Sequence, residues 1–385
     1  MFYRGNWIDS FPDNYQWSNA SSITKGMAPY GAVALGEIDQ VIQRLHARSS
    51  EPEAWWQEWT AMGERLERTA DAAAADGRDA TAGNYYLRAG MYYYTGERML
   101  PPGEQKLDIY RKSLRCAHEG LKRRHRNVER VDVPYEGTAL AAYFMKSPVA
   151  KGRAPTIVLF DGLDNCKEMS VLFAGVEFAF RGFHTLAIDG PGQGESLRLR
   201  NIFSRYDYEL AGTAAYEFVA ARADVDPARI GIVAYSLGGY YAPRVAAYEK
   251  RYRACVAWGA LFDYHATWVK RREAMKSAPG NSMAASHFQV PWVLGVADMD
   301  AAMVKLEKYT LAGVAERIEC PTLICHGAND RLSTLGVAQQ LYSAVGARDK
   351  TLKVFGEDDG GAEHCQADNR QVGTDYIADW LVQKL

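Results

Sequence analysis

The spacing of apolar residues changes near residue 130, and this change limits what the chain can fold into. Before it, apolar side chains recur at helical spacing. Ile38, Val41, Ile42 and Leu45 fall at i, i+3, i+4 and i+7, one face of a helix. Trp55, Trp59, Met62 and Leu66 line a second helix, which opens near Pro52 and is stopped by Gly77. A third runs from about Asp79 to Tyr94, with Tyr85, Tyr86, Ala89, Tyr92 and Tyr93 facing inward, and Pro101-Pro102 ends it. A fourth covers Gln105 to Arg126, with Leu107, Tyr110, Leu114, Ala117 and Leu121 on one stripe. Four such stripes must bury one another or cover something else.

After residue 130, short β-branched or apolar runs alternate with helical stretches. The strand expectations are Glu129–Pro134, Ala139–Met145, Pro155–Phe160, His184–Asp189, Ile230–Tyr235, Ala254–Trp258, Thr322–Cys325 and Thr351–Phe355. Such alternation predicts an α/β fold with a mostly parallel, eight-stranded sheet and helices on both faces. The first two strands are too close for a crossover, so the sheet starts antiparallel. No strand pattern appears between Leu261 and Cys320, and about 262–320 reads as a cap insertion over the sheet's carboxyl edge. The expected division is an N-terminal helical lid or cap domain, 1–127, and a sheet domain, 128–385.

Composition narrows the function. Lys and Arg total 45 against 47 Asp and Glu, with no basic stripe, which argues against a nucleic-acid partner. No apolar stretch approaches the ~18–20 residues of a membrane span, and Met1–Ser10 has no apolar core of a secretory signal. The six cysteines are scattered without C-x-x-C or zinc spacing, so free thiols, a cytoplasmic location and no metal are expected. Asp189-Gly-Pro-Gly-Gln-Gly-Glu-Ser196 lacks the glycine spacing of a dinucleotide loop and the Walker lysine, so no cofactor is expected. Aromatic residues are 12% of the chain, and five of the nine Trp lie in the first 59 residues.

The chemistry concentrates at Ile230-Gly-Ile-Val-Ala-Tyr-Ser-Leu-Gly-Gly-Tyr240. A buried strand runs directly into Ser236, flanked by Ala234, Gly238 and Gly239. A tight strand-to-helix turn needs small neighbours, lifts the Ser hydroxyl off the sheet and sets the Leu237 N–H at a helix N-terminus. Ala234 stands where the G-x-S-x-G pattern has its first Gly; a simple helix cap is the competing reading. A nucleophilic Ser needs a base and an orienting acid, in the chain order Ser, acid, His on this architecture. Asp330 and His364 follow strands in that order; turn or surface roles are the alternatives, and Asp263 is a second candidate acid. His326, at a strand edge, reads as supporting. In the loop after the third strand, Gly162 permits close approach, so the Leu163 N–H is the expected second oxyanion donor. Lys270-Arg271-Arg272 reads as a solvated face.

These residues together resemble the α/β-hydrolase superfamily over about 128–385. A narrower resemblance spans nearly the whole chain: Ala82-Gly-Asn-Tyr-Tyr-Leu-Arg-Ala-Gly-Met-Tyr-Tyr-Tyr, Gly162-Leu-Asp with Lys167-Glu168, Ser-Leu-Gly-Gly-Tyr-Tyr and Glu363-His-Cys. These are similar to a subgroup holding 2,6-dihydroxypseudooxynicotine hydrolase, polyketide-shortening hydrolases of fungal pigment pathways, and esterase-like fermentation-respiration-switch (FrsA) proteins. The resemblance implies cleavage of a carbon–carbon bond in a diketone-like substrate of secondary metabolism. Spacing alone implies only a serine hydrolase. A carboxylesterase, lactonase or thioesterase, a lyase or isomerase, and a non-catalytic regulator or binding protein stay open. An aromatic or polyketide-like small molecule is the expected partner. Candidate contacts are Gly162, Tyr235, Asp263, Tyr264, His265, Trp268 and Trp292, with the N-terminal Trp/Tyr set as further wall; core packing competes for each aromatic. The N-terminal helices are candidates for a lid and for a homodimer surface.

Overall fold

The computed structural model describes residues 7–49, 51–277 and 288–385. The chain divides into two compact units, Met1–Val128 with Ala274–Gln289, and Glu129–Glu273 with Val290–Leu385. Of the described residues, 274–277 and 288–289 group with the first unit.

The helical unit contains α1 (Tyr15–Lys25), α2 (Leu35–Ala47), α3 (Ala54–Ala75), α4 (Asp79–Glu97) and α5 (Glu104–Arg124). Helix α1 has no apolar stripe to reveal it, because its buried side includes Ser18, Ser21, Ser22, Thr24 and Lys25. It is instead defined by its cap, where Asn14 Oδ1 accepts the Trp17 N–H at 3.1 Å. Phe11, Trp17, Trp55, Trp59 and Tyr92 form a continuous aromatic run with successive ring centroids 5.3–5.6 Å apart. The early tryptophans are thus largely core of their own unit: Trp55 and Trp59 are buried, and the Trp55 indole donates to the Thr95 carbonyl at 2.8 Å. The inward face of α5 is rotated from the expected stripe and takes in Lys106, Ser113 and Gly120.

The sheet unit contains β1 (Val128–Tyr135), β2 (Thr138–Met145), β3 (Ala154–Phe160), α6 (Lys167–Ser170), α7 (Val176–Phe180), β4 (His184–Asp189), α8 (Gly194–Arg198), α9 (Glu209–Ala220), β5 (Val225–Tyr235), α10 (Gly238–Tyr248) and β6 (Ala254–Trp258). There follow α11 (Tyr264–Ser277), α12 (Gln289–Leu294) and α13 (Met299–Leu306), then β7 (Thr322–Gly327), α14 (Leu335–Ala344), β8 (Lys350–Phe355) and α15 (Arg370–Lys384). The eight strands lie in the order β1-β2-β4-β3-β5-β6-β7-β8. Glu136 and Gly137, both with positive φ, join β1 to β2 in two residues, a hairpin connection that makes the pair antiparallel. Strand β2 pairs antiparallel with β4, and all later pairings are parallel. Strand order reverses between β4-β3 and β3-β5, so loops at the carboxyl ends of β3 and β5 flank a switch point, where α/β sheets place ligands. No helix of the described residues is long and apolar enough to cross a membrane.

Helices α4 and α5 meet backbone to backbone. A Cβ on Gly90 would lie 2.8 Å from the Ala117 nitrogen, and one on Gly120 would lie 2.7 Å from the Leu87 nitrogen. Backbone cannot rotate aside, so Gly90→Ala is expected to cost ~1–3 kcal/mol despite alanine's better helix propensity. Gly36, in the first turn of α2, has nothing within 4 Å of such a Cβ, so Gly36→Ala is expected to stabilise by a few tenths of a kcal/mol. Thermal melts should therefore move in opposite directions for the two alanine variants.

Candidate active site

Ser236 ends β5 and precedes α10 with φ of 62°, in the left-handed region that non-glycine residues avoid. Such a backbone costs of order 1–3 kcal/mol and persists only where its surroundings over-determine it. Two bonds hold it: Ser236 N–H donates to the Trp258 carbonyl at 2.8 Å, and Gly239 N–H donates to the Ser236 carbonyl at 2.8 Å. The small flanking residues are a steric necessity. A Cβ on Gly238 would lie 2.6 Å from the Ala234 methyl carbon, and one on Gly239 would collide with the Gly259 carbonyl. Ala234 is therefore accommodated because position 238 carries no side chain.

Three of the expected residues come together here. His364 Nε2 lies 2.9 Å from Ser236 Oγ, and His364 Nδ1 lies 2.7 Å from Asp330 Oδ2. A carboxylate accepts only, so Nδ1 carries the proton and Nε2 is left to accept from the Ser hydroxyl. Asp330 is buried, and its other oxygen accepts the Leu332 and Ser333 N–H groups at 2.8 Å each. The Ser333 hydroxyl in turn donates to the Ala260 carbonyl at 2.5 Å. His326, also buried, donates from Nε2 to the Ser333 carbonyl at 2.8 Å and accepts the Ala260 N–H on Nδ1 at 3.2 Å. It thereby ties the Asp330 loop to the end of β6. Ser333 is a contributor the sequence reading missed, although Asp-x-x-Ser is a pattern in which Asp bonds the backbone ahead of it.

Burial pulls the His364 imidazole downward, but the Asp330 carboxylate outweighs it and holds the group well above its ordinary range. Burial pushes Asp330 up, and the His364 and His326 imidazoles together with the backbone N–H donors bring it below its ordinary value. His326, by contrast, is lowered by burial, against the pull of the Asp330 carboxylate.

The remaining expected residues are placed as follows. A Cβ on Gly162 would lie 2.6 Å from Ser236 Cβ and 2.9 Å from the Tyr235 carbonyl, so this loop lies directly on the turn. Leu163 follows in that loop, and Leu237 is the N-cap residue of α10. The Tyr235 ring is committed to the sheet core, 5.2 Å from Phe173 and 6.1 Å from Trp258. Asp263 is not an acid for His364: its carboxylate caps α11, accepting the Ala266 N–H at 2.7 Å. Tyr264 and Trp268 are buried edge to face at 6.2 Å, and the Trp268 indole N–H has no acceptor among the described residues. His265 is half-buried. Trp292 stands 5.2 Å from the Arg198 guanidinium. Arg271 is not merely solvated, since it donates to the Leu332 carbonyl at 2.7 Å beside the acid.

The loops after β3 and β4 share one buried cation. Lys167 Nζ lies 2.7 Å from Glu168, 3.0 Å from Asp189 and 3.0 Å from Glu195. Burial opposes its charge, but the three carboxylates outweigh that and keep it protonated. Burial likewise pushes Glu195 up, yet Lys167 and Arg130 bring it down to about 2.

Residues 47–384 match the family described as esterase FrsA-like. The chain is 28% identical over 344 residues to hydrolase acrC of Aspergillus aculeatus, covering 78% of this chain and 80% of that protein. It is 25% identical over 395 residues to the 20-hydroxy-prefusarin hydrolase FUS2 of Gibberella moniliformis, covering 92% and 93%. Among solved structures, 2,6-dihydroxy-pseudo-oxynicotine hydrolase superposes with a TM-score of 0.78 at 23% identity, over 94% of this chain and 95% of that one. AbyA5 superposes with a TM-score of 0.68 at 18% identity, over 90% and 89%. The architecture is the α/β-hydrolase fold.

The charge balance at His364 can be read directly. By NMR titration its imidazole should have a midpoint above the ordinary value of about 6.5. In Asp330→Asn the largest opposing charge is gone, so the midpoint should fall below that of the wild type. A wild-type midpoint at or below the ordinary value would contradict the assignment.

Proposed function

The chain belongs to the esterase FrsA-like family, and from that premise we propose that it is a serine hydrolase working through Ser236, His364 and Asp330. The observation that carries the reading is the left-handed Ser236 with its hydroxyl 2.9 Å from a histidine that is itself held by a buried carboxylate. His364 takes the Ser236 proton as the oxygen attacks a substrate carbonyl, and Asp330 stabilises the resulting imidazolium. The Leu237 and Leu163 N–H groups receive the developing oxyanion, each contributing about 3–4 kcal/mol. Collapse expels the leaving group, which His364 protonates. Water, deprotonated by the same imidazole, then releases the acyl group.

The bond broken is carbon–carbon, in a diketone-like substrate whose leaving carbanion is stabilised as a conjugated enolate. The family resemblance supports this, and the near full-length relative named a 20-hydroxy-prefusarin hydrolase supports the hydrolase part of the reading. An aromatic or polyketide-like molecule is the substrate class. A second reading, an esterase on the same three residues, is favoured by the family's own description.

Incubation with diketone, ester and thioester panels, with products identified by mass spectrometry, separates the two. Diketone cleavage is expected; ester turnover without it would select the second reading. Ser236→Ala should lose turnover by 10⁴-fold or more, to roughly the level that oxyanion binding alone sustains. A fluorophosphonate should label the wild type and not this variant; an unlabelled wild type would point to a non-catalytic protein. The base must be neutral, so kcat/KM should fall as pH drops through the raised His364 midpoint, placing the acid limb above about 6.5.

A further inference from the structure

The glycine-rich segment Asp189–Ser196 has no phosphate-binding spacing, yet it is closely packed and hydrogen-bonded. Gly190-Pro191-Gly192-Gln193 is a β-turn: Gln193 N–H donates to the Gly190 carbonyl at 3.0 Å, and Gly192 has φ of 85°. Proline second and a left-handed glycine third are the type II arrangement. A Cβ on Gly190 would collide with the Tyr208 hydroxyl and one on Gly194 with the Asp189 carboxylate, so packing closes the turn on both sides. Asp189 is itself anchored, accepting the Lys167 and Glu195 N–H groups at 2.8 Å each.

Gln193 is 1% exposed, and its carboxamide has only one orientation open to it. Its Oε1 accepts the Gly190 N–H at 2.8 Å, which directs the amide nitrogen the other way. That nitrogen donates to the carbonyl of Asp161. Asp161 immediately precedes Gly162, and its carbonyl oxygen lies 3.1 Å from where a Cβ on Gly238 would be. The bonded peptide is therefore wedged between the glycine-rich turn and the start of α10. The next peptide along carries the Leu163 N–H.

We propose that Gln193 is a positioning residue for the oxyanion loop: it pins the Asp161–Gly162 peptide and so aims the Leu163 N–H at the oxygen developing beside Ser236. It touches no reacting atom and acts through the backbone. This rests on the hydrolase reading of Ser236 and Leu163. The turn supplies rigidity, and the carboxamide carries it across to the neighbouring loop. A donor displaced by a fraction of its hydrogen-bond length loses much of its effect in the transition state while leaving ground-state binding alone.

The test uses the full chain with p-nitrophenyl acetate for turnover and a fluorophosphonate for the rate of Ser236 labelling. Gln193→Met keeps length and loses both hydrogen bonds. Its kcat should fall about 10- to 100-fold with KM within about twofold of wild type, and labelling should slow in step. Melting temperature is followed in parallel. Wild-type kcat and labelling per folded molecule, with only a lower melting temperature, would overturn the proposal and leave Gln193 a packing residue. If Gln193→Met does not fold, Gln193→Glu at alkaline pH is read the same way. Its carboxylate keeps the acceptor for Gly190 and turns an acceptor toward Asp161, so wild-type kcat there overturns the proposal too. A wild type unlabelled at Ser236 would remove the hydrolase reading, and this proposal with it. Labelled wild type with unimpaired Gln193 variants would remove the positioning role alone.

Discussion

At Ser236 the chain passes from a buried strand into a helix within one residue, and the left-handed backbone there governs what can pack around it. The turn brings β5, α10, the loop after β3 and the end of β6 within contact of one another. Neighbours must give up side-chain volume: a Cβ on Gly162, Gly238, Gly239 or Gly259 would meet the Ser236 Cβ, the Ala234 methyl, the Gly259 carbonyl or the Cys365 sulfur. Those substitutions would be unremarkable in isolation. Together they describe a socket whose shape is complementary to one strained residue.

Electrostatics then fixes the loops that the socket leaves unsupported. Lys167 brings together carboxylates from the segments following β3 and β4. Buried ion pairs contribute little net stability after desolvation, so its value lies in register: a single cation with three acceptors admits one arrangement of two loops. Asp330 is handled differently, by backbone N–H groups and two imidazoles. One cluster fixes where backbone lies; the other fixes the orientation and charge of a side chain.

Much of this was legible beforehand because it obeys local rules. All eight strands and the four amphipathic helices announce themselves by periodicity, and Ser236, Asp330 and His364 by their positions after strands. What escaped has physical reasons. Helix α1 buries hydroxyls and a lysine instead of an apolar stripe, so period analysis passes over it. Asp263 had the same strand-end address as a catalytic acid, but its carboxylate satisfies the first turn of α11. The early tryptophans stood out as an aromatic excess, and most of them pack on one another. Ser333 and Gln193 act through backbone carbonyls far away in sequence, which no spacing rule encodes.

The contact between Ala234 and Gly238 also has a historical consequence. One methyl group fits in the space between these two positions, and it stands on residue 234. Alanine at 238 would thus be harmful in this background and less so in one carrying glycine at 234, where the Asp161 carbonyl at 3.1 Å is the near contact that remains, so the two sites, four residues apart, are coupled. A lineage could move the methyl from one position to the other only through an intermediate with glycine at both. Pattern searches that demand glycine at the first position sample one end of that path, and this chain stands at the other.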